Sequence, residues 1–225
     1  MTPRALVTMT MALLALAAPL AAAAQEINLA GLDDERVNRV HLRTGAEDAF
    51  VAGLGYARAV PILGRRVLLY GDLTVPWAGL DFSDYRVRAG VLVPIIGAGR
   101  WKLAGTFTPT LRGIEEPIGT MTNLGVDFGA VGGFYARRWF VAGELGFDWA
   151  ITTHITHSDA YRAHGYAAAR DGWYAPAGGT FRYGGQAGAS FGRFDVVLRA
   201  GQPRDLKGKT LAMPLYATLT VDMRW

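Results

Sequence analysis

The chain has 225 residues, of which 51% are hydrophobic and 11% aromatic, with 29 glycines, no cysteine and a formal net charge of +4. This composition is too apolar for a disordered protein, and it excludes disulfide scaffolds, cysteine–zinc sites and thiol nucleophiles. The basic residues are almost all arginines interleaved with acids, a distribution that does not indicate a nucleic-acid partner.

Residues 1–24 have the features of a cleaved secretory signal peptide. A basic start precedes an apolar run, and Ala22 and Ala24 supply the small residues expected before cleavage at Gln25. Pro19 argues against the alternative of a membrane-anchoring helix. Residues 25–36 are polar and predict a short periplasmic segment, either a tail or a small plug, ahead of a single domain over residues 37–225.

From about residue 39 onward, apolar and polar residues alternate, as they do in strands with two different faces. In residues 139–151, one face carries Trp139, Leu145 and Trp149, and the other carries Glu144. The two tryptophans are ten residues apart. At ~3.3 Å per residue and a tilt near 40°, this spacing corresponds to roughly 25 Å, the height of the apolar band of an outer-membrane barrel.

The alternating segments predict an all-β, antiparallel up-and-down transmembrane β-barrel. We expect ten strands, because barrels of this kind have even strand numbers, with eight strands as the alternative if the N-terminal segments pair poorly. The predicted strands are 39–43, 48–59, 67–77, 85–93, 101–112, 124–135, 139–151, 181–191, 194–200 and 211–225. Tight connections are predicted at 44–47, 61–66, 96–100, 137–138 and 192–193, and longer ones at 78–84, 113–123, 152–180 and 202–209.

Charged residues fall on the polar face of these strands, with arginine nearly balanced by aspartate and glutamate. Guanidinium groups bind carboxylates bidentately, so this face suits a lumen lined with ion pairs. We expect Glu144 and Asp127 to pair with Arg199, Arg88 or Lys102, because an unpaired charge in a narrow lumen is costly. A selectivity charge is the alternative role. The predicted lumen charges are Asp72, Arg86, Arg88, Lys102, Arg112, Asp127, Glu144, Asp148, Arg182, Asp195, Arg199, Asp222 and Arg224.

Aromatic residues near the strand ends predict two girdles at the membrane interfaces. The lower girdle would contain Trp101, Phe134, Trp139, Phe191, Phe194 and Trp225, and the upper girdle Trp77, Tyr85, Trp149 and Phe181.

The last predicted strand has an apolar residue at every second position: Leu219, Val221, Met223 and Trp225. This pattern, together with the signal peptide, resembles that of small Gram-negative outer-membrane β-barrel proteins. The resemblance implies a location in the cell outer membrane, contact with outer-membrane lipid and lipopolysaccharide, and recognition of this strand by the barrel-assembly machinery. It also implies a monomer with no cofactor.

The long loop at 152–180 contains the only candidates for a metal site: His154, His157, Asp159 and His164. Their spacing matches no recognised ligand motif, so we expect no metal and a polar surface loop instead. The function expected is structural or surface-interacting. A narrow passive channel is one alternative, and a hydrolase acting on lipid A at the outer rim, with Ser158 between His157 and Asp159, is another.

Overall fold

Alternation of side chains continues over most of the chain, and strands dominate the computed structural model. The structure describes residues 26–33, 35–77, 82–175, 178–211 and 213–225. The predicted signal peptide, residues 1–24, lies outside the described residues. The strands are β1 (Asn38–Ala46), β2 (Phe50–Ile62), β3 (Arg65–Pro76), β4 (Tyr85–Ala98), β5 (Trp101–Glu116), β6 (Gly119–Tyr135), β7 (Trp139–His157), β8 (Gly172–Tyr174), β9 (Gly179–Phe191), β10 (Phe194–Asp205) and β11 (Tyr216–Arg224).

Ten of these strands form one closed antiparallel barrel. Neighbours in sequence pair with each other, β7 pairs with β9, and β1 pairs with β11 to close the sheet. The short strand β8 is not part of the barrel and pairs with the far end of β7. The predicted all-β antiparallel fold with ten strands is therefore confirmed, and the eight-strand alternative is wrong.

The two ends of the barrel differ in their connections. At one end, called the tight-turn end, the connections are residues 63–64, 99–100, 136–138 and 192–193. At the other, called the long-loop end, they are residues 47–49, 77–84, 117–118, 158–178 and 206–215. The turn between β2 and β3 shows why so few residues suffice. Leu63 and Gly64 both have positive φ, 48° and 75°, as a two-residue hairpin turn that matches the strand twist requires.

Several strands run further than their sequence pattern predicts. The predicted connection at 113–123 is wrong, because β5 continues to Glu116 and β6 begins at Gly119. The predicted loop 152–180 is also shorter, since β7 continues to His157. These added residues have polar side chains on both faces, so they lack the alternation on which the prediction depended. β2 and β4 likewise extend past their predicted ends to Ile62 and Ala98, so that Pro61 and Pro94 lie within strands.

The polarity of the barrel is the reverse of that of a soluble protein. Along β7, Val141 and Leu145 are exposed on the outer surface, whereas Ala142 and Glu144 are buried inside. Around the rest of the barrel, most large apolar side chains face outward, and most charged side chains of the strands face inward.

The interior has an apolar part as well as a charged part. Toward the tight-turn end, buried apolar side chains form a floor inside the barrel: Ala57, Ala59, Leu68, Tyr70, Leu92, Ala104, Val131, Tyr135, Phe140, Ala142 and Val197. Phe140 and Ala142 lie on the same face of β7 as Glu144, a face predicted to be polar, so this floor was not expected. It is the surface on which the N-terminal segment packs.

Candidate functional site: the filled lumen and the outer hairpins

The predicted lumen charges all lie on the inner face of the barrel. Eleven of the thirteen are buried, and Lys102 and Arg112 are intermediate. The buried ones include Arg88, Arg182 and Arg199, each 1% exposed. An isolated buried charge costs much free energy. The ion-pair partners of these side chains therefore decide whether the lumen holds free charges or is filled by paired ones.

Near the long-loop end, Arg86 forms ion pairs with two carboxylates. Its Nη1 lies 2.8 Å from Glu47 Oε2 and its Nη2 lies 2.6 Å from Asp48 Oδ2. Arg112 Nη1 also lies 2.6 Å from Asp48 Oδ2. Burial alone would raise the pKa of the Asp48 carboxyl, but Arg86 and Arg112 outweigh burial and lower it. Glu47 was not among the predicted lumen charges, because it falls in the predicted turn at 44–47.

Deeper in the lumen, Asp72 on β3 is shared by two arginines. Arg88 Nη2 lies 2.6 Å and Arg43 Nη2 3.3 Å from Asp72 Oδ1. Arg43, like Arg39, was absent from the predicted lumen charges. Both alternate with the apolar residues Val40 and Leu42 in sequence, and this alternation already indicated that Arg39 and Arg43 face the lumen.

At mid-height, Glu144 is surrounded by donors. Arg199 Nε donates to Oε1 and Oε2 at 2.6 and 2.8 Å, Gln186 Nε2 donates at 3.4 Å, and the Tyr216 hydroxyl also donates to the carboxylate. The Arg199 guanidinium in turn lies over the Tyr216 ring, 4.5 Å from its centroid. The predicted partners of Glu144 and Asp127 were Arg199, Arg88 and Lys102. In the structure, Arg199 forms an ion pair with Glu144.

Asp127 pairs with a different residue, Arg182 on β9. Arg182 donates from Nη1 to Oδ2 and from Nη2 to Oδ1, the latter at 2.8 Å, in a bidentate pair. Asp148 is buried on the lumen face of β7, the same face as Glu144.

Close to the tight-turn end, a further group of charges joins the first strand to the last two. Arg39 Nη1 lies 3.3 Å from Asp222 Oδ2, and Arg224 Nε lies 3.0 Å from Asp195 Oδ2. Lys102 Nζ donates to the Leu29 carbonyl at 3.1 Å. These contacts lie at the tight-turn end of the barrel.

Residues 26–33, called the N-terminal plug, enter the barrel from the tight-turn end. Ile27, Leu29 and Leu32 are 2–3% exposed and pack on the apolar floor. Thr218 donates to Glu26, and Asn28 Nδ2 donates to Asp195 Oδ1 at 3.4 Å. Sequence analysis left a tail and a plug open for residues 25–36. Residues 26–29, 31 and 32 of this segment are buried inside the barrel, whereas Glu35 is exposed.

Removing the apolar contacts between the plug and the barrel floor is expected to open the lumen. In the variant Leu29→Ser/Leu32→Ser, each leucine loses the ~1.5–3 kcal/mol that its burial contributes. We expect a lower unfolding temperature and a higher single-channel conductance in planar bilayers than the parent protein shows. Glu35→Ser, at an exposed position beyond the plug, is the matched control. If the double variant conducts no more than the parent, the ion pairs alone close the lumen.

At the long-loop end, β5, β6 and β7 extend past the upper aromatic residues, and β8 pairs with the end of β7. These extensions, together with residues 158–178, are called the outer hairpins. His154 packs edge-to-face against Trp173, with ring centroids 5.1 Å apart. His157 stacks on Tyr161, and its Nδ1 lies 3.0 Å from Asp171 Oδ1. Hydrogen bonds from the His157 backbone N–H and ring lower the pKa of Asp171.

The metal candidates do not converge on one point. His154 and His157 have the separate partners just described, His164 Nδ1 lies 2.7 Å from the Ala160 carbonyl, and Asp159 is exposed in a helical turn. Among the described residues, no group of three or more histidines and carboxylates has the geometry to hold a metal ion.

The candidate hydrolase residues have structural roles in the same segment. Ser158 Oγ donates to the Pro117 carbonyl at 2.7 Å and accepts from the Tyr161 backbone N–H. His157 Nδ1 faces Asp171. Ser158 therefore caps a helical turn and ties it to the neighbouring hairpin.

The predicted girdle residues lie on the outer surface. In the lower group, Trp101 and Phe134 have ring centroids 5.6 Å apart, and Phe134 and Trp139 5.4 Å apart, so these rings form a continuous row. Phe191, Phe194 and Trp225 are exposed on the outer surface at the same end, and Trp77, Trp149 and Phe181 are exposed toward the other, where Tyr85 is half-buried. Tyr56, which sequence analysis did not include, lies beside Trp225 with centroids 6.3 Å apart.

Comparison with known protein families finds no family model that matches the chain, and comparison with curated proteins finds no match. Within the part of the chain that the structure describes, no helix has both the length and the apolar character needed to cross a bilayer.

Proposed function

We propose that this protein is a small outer-membrane β-barrel of a Gram-negative bacterium, with a filled lumen and a structural or surface-interaction role. The observation that carries the proposal is the inverted polarity of the barrel. Leu145 on the outer face is 53% exposed, whereas Glu144 next to it is 3% exposed and ion-paired. In water, such an arrangement would expose a continuous apolar belt, but in a bilayer the same belt contacts lipid.

The aromatic residues support the same environment. Trp139 and Trp149 lie at opposite borders of the apolar part of β7, with Val141, Leu145 and Phe147 between them on the outer face. Indole rings favour the headgroup level of a membrane, because one edge is apolar and the other donates a hydrogen bond.

The filled lumen favours an interaction role over transport. The N-terminal plug is buried inside the tight-turn end, and ion pairs of Asp72, Asp127 and Glu144 cross the interior beyond it. The outer hairpins, by contrast, carry exposed side chains such as Trp173 and the basic Arg170. We propose that this surface contacts lipopolysaccharide, whose phosphates are suited to arginine.

The outer face of β11 is proposed as the contact for the barrel-assembly machinery. Leu219, Val221, Met223 and Trp225 are 39–45% exposed in one row. Backbone hydrogen bonds of 3.1 Å in both directions join Trp225 to Asn38 of the first strand.

Cell fractionation and gel mobility test the proposed location. The protein is expected in the outer-membrane fraction, with a band that migrates differently before and after boiling in SDS. Trp225→Ala should reduce the amount inserted, because it removes an aromatic side chain from the outward row of β11. Trp173→Ala, which removes an exposed tryptophan from the outer hairpins, should insert normally. A soluble periplasmic species without a heat shift would contradict the location.

Replacing residues 158–178 by a short Gly/Ser linker tests the interaction role. The barrel should keep its heat-dependent mobility, because its ladder hydrogen bonds lie in the ten barrel strands and not in this segment. Binding of purified lipopolysaccharide to the protein in nanodiscs should fall. The matched control replaces residues 206–215 at the same end and should bind as the parent does. Equal binding by all three proteins would contradict the assignment of the contact to residues 158–178.

A further inference from the structure

The tight turns carry basic residues and no acidic ones. Each of the four turns contains or borders an arginine, and none contains or borders an aspartate or a glutamate. At the long-loop end, by contrast, residues 47–49 contain both Glu47 and Asp48. The arginines of the tight turns are Arg65, Arg66, Arg100, Arg137, Arg138 and Arg193.

Two neighbouring turns bring three of these arginines to one part of the rim. The turn at 99–100 leads into β5 and the turn at 136–138 follows β6, and β5 pairs with β6 along their whole lengths. The Tyr135 backbone N–H donates to the Arg100 carbonyl at 2.7 Å, so the two turns are in direct contact. Arg100, Arg137 and Arg138 are all exposed. These three residues are called the arginine patch.

The arginine patch has no carboxylate partner. None of its three side chains forms an ion pair or a hydrogen bond with a described residue. The Arg100 guanidinium lies over the Phe134 ring, 5.9 Å from its centroid, a contact that orients the cation without neutralising it. Glu35 is exposed at the same end, but it too forms no ion pair with a described residue. The patch therefore presents three uncompensated positive charges.

The patch borders the aromatic row of the lower girdle. Trp101 directly follows Arg100 in sequence, and Trp139 directly follows Arg138. The two indoles are 63% and 50% exposed on the outer surface, with Phe134 between them. Because indole rings favour the headgroup level of a bilayer, the neighbouring guanidinium groups lie at the depth of the lipid phosphates.

We propose that the arginine patch binds the phosphate group of an anionic phospholipid in the leaflet at the tight-turn end. Guanidinium groups present planar pairs of donors that match the geometry of phosphate oxygens, and the acyl chains lie along the outer face above the aromatic row. An anionic headgroup is favoured because the ammonium group of a zwitterionic lipid is repelled by the same three cations. The inference rests on the proposed membrane location of the barrel.

The charge of the patch can be changed without disturbing the barrel. Arg137→Gln/Arg138→Gln removes two of its three charges, and both side chains are exposed and outside the strands. The matched control, Arg58→Gln/Arg193→Gln, also removes two exposed arginines near the tight-turn end. Arg58 is on β2 and Arg193 is in the turn at 192–193, so neither belongs to the turns that carry the patch.

The experiment reconstitutes each protein into vesicles containing equal amounts of phosphatidylethanolamine and phosphatidylglycerol and counts retained lipids by native mass spectrometry. An arginine near an anionic surface favours binding by about fivefold, so the parent protein should retain phosphatidylglycerol about tenfold or more over phosphatidylethanolamine. Arg137→Gln/Arg138→Gln should lose most of this preference, and the control should keep it. Raising the salt concentration from ~0.1 M to ~1 M should weaken the preference of the parent, because exposed charges are screened.

The heat shift on gels is recorded for every sample, so that insertion is measured separately from lipid binding. A parent protein that inserts but retains both lipids equally would overturn the lipid site and leave the proposed location intact. An equal loss of preference in the patch variant and the control would show that overall charge, and not the patch, selects the lipid. Binding of soluble polyglutamate by the parent, without any preference for phosphatidylglycerol, would show that the partner is an acidic protein and contradict the proposal.

Discussion

Arg199→Met is expected to destabilise the barrel by about 3–5 kcal/mol, because it leaves a buried carboxylate without its ionic partner. Glu144 is 3% exposed and accepts two hydrogen bonds from Arg199 Nε. Removing the guanidinium also ends its contact with the Tyr216 ring. The free energy of unfolding, measured by urea titration of the protein in lipid vesicles, gives the size of the loss.

Two further variants identify the cause of that loss. The double variant Glu144→Leu/Arg199→Met should recover much of the stability, because a buried ion pair replaced by apolar side chains is often tolerated. Arg193→Met, at an exposed turn, should change stability by less than about 0.5 kcal/mol. If Arg199→Met costs no more than Arg193→Met does, the ion pair of Arg199 with Glu144 does not stabilise the barrel, and the prediction is wrong.

Leu145→Arg is expected to cost about 2–4 kcal/mol in a bilayer, the penalty for an arginine on the lipid face near the midplane of a barrel. Leu145 lies between Trp139 and Trp149 and is 53% exposed. If this face were in water, Leu145→Arg would not reduce stability in this way, because arginine on a water-facing strand has no such cost. Unfolding in vesicles and the yield of inserted protein measure the effect.

Trp173→Arg is the matched control for this substitution. Trp173 is 60% exposed, but it lies on β8 in the outer hairpins. Its replacement should change stability by less than about 0.5 kcal/mol. Equal effects of Leu145→Arg and Trp173→Arg would show that the apolar belt does not contact lipid.

The arrangement of strands could be predicted because period two persists wherever the two faces have different environments. In β7, the alternation of Leu145 with Glu144 correctly separated the outer face from the inner one. The strand number followed from adding residues 39–43 as a short first strand, which the structure extends to Asn38–Ala46.

Other features carry no periodic signal. The N-terminal plug includes a 3₁₀ turn at Leu29–Asp33, and its contacts are made with strands far away in sequence. The pairing of Asp127 with Arg182 joins residues 55 positions apart, and sequence alone does not distinguish Arg182 from the other inward arginines. At the outer hairpins, adjacent residues such as Thr152 and Thr153 are both polar. Both faces of the strand therefore carry polar side chains, and the alternation ends before the strand does.

The pairing of β1 with β11 has a consequence for the order of assembly. Arg39 and Asp222 are 183 positions apart in sequence, and Glu26 and Thr218 are 192 positions apart. Contacts of such long range form late, because the entropy of closing the intervening chain must first be overcome. The arrival of β11 therefore completes the ring and the binding site of the plug in one event. A chain in which β11 has not yet paired with β1 has neither the closed ring nor a complete site for the plug, so the last strand of the sequence fixes the conformation of the first residues that the structure describes.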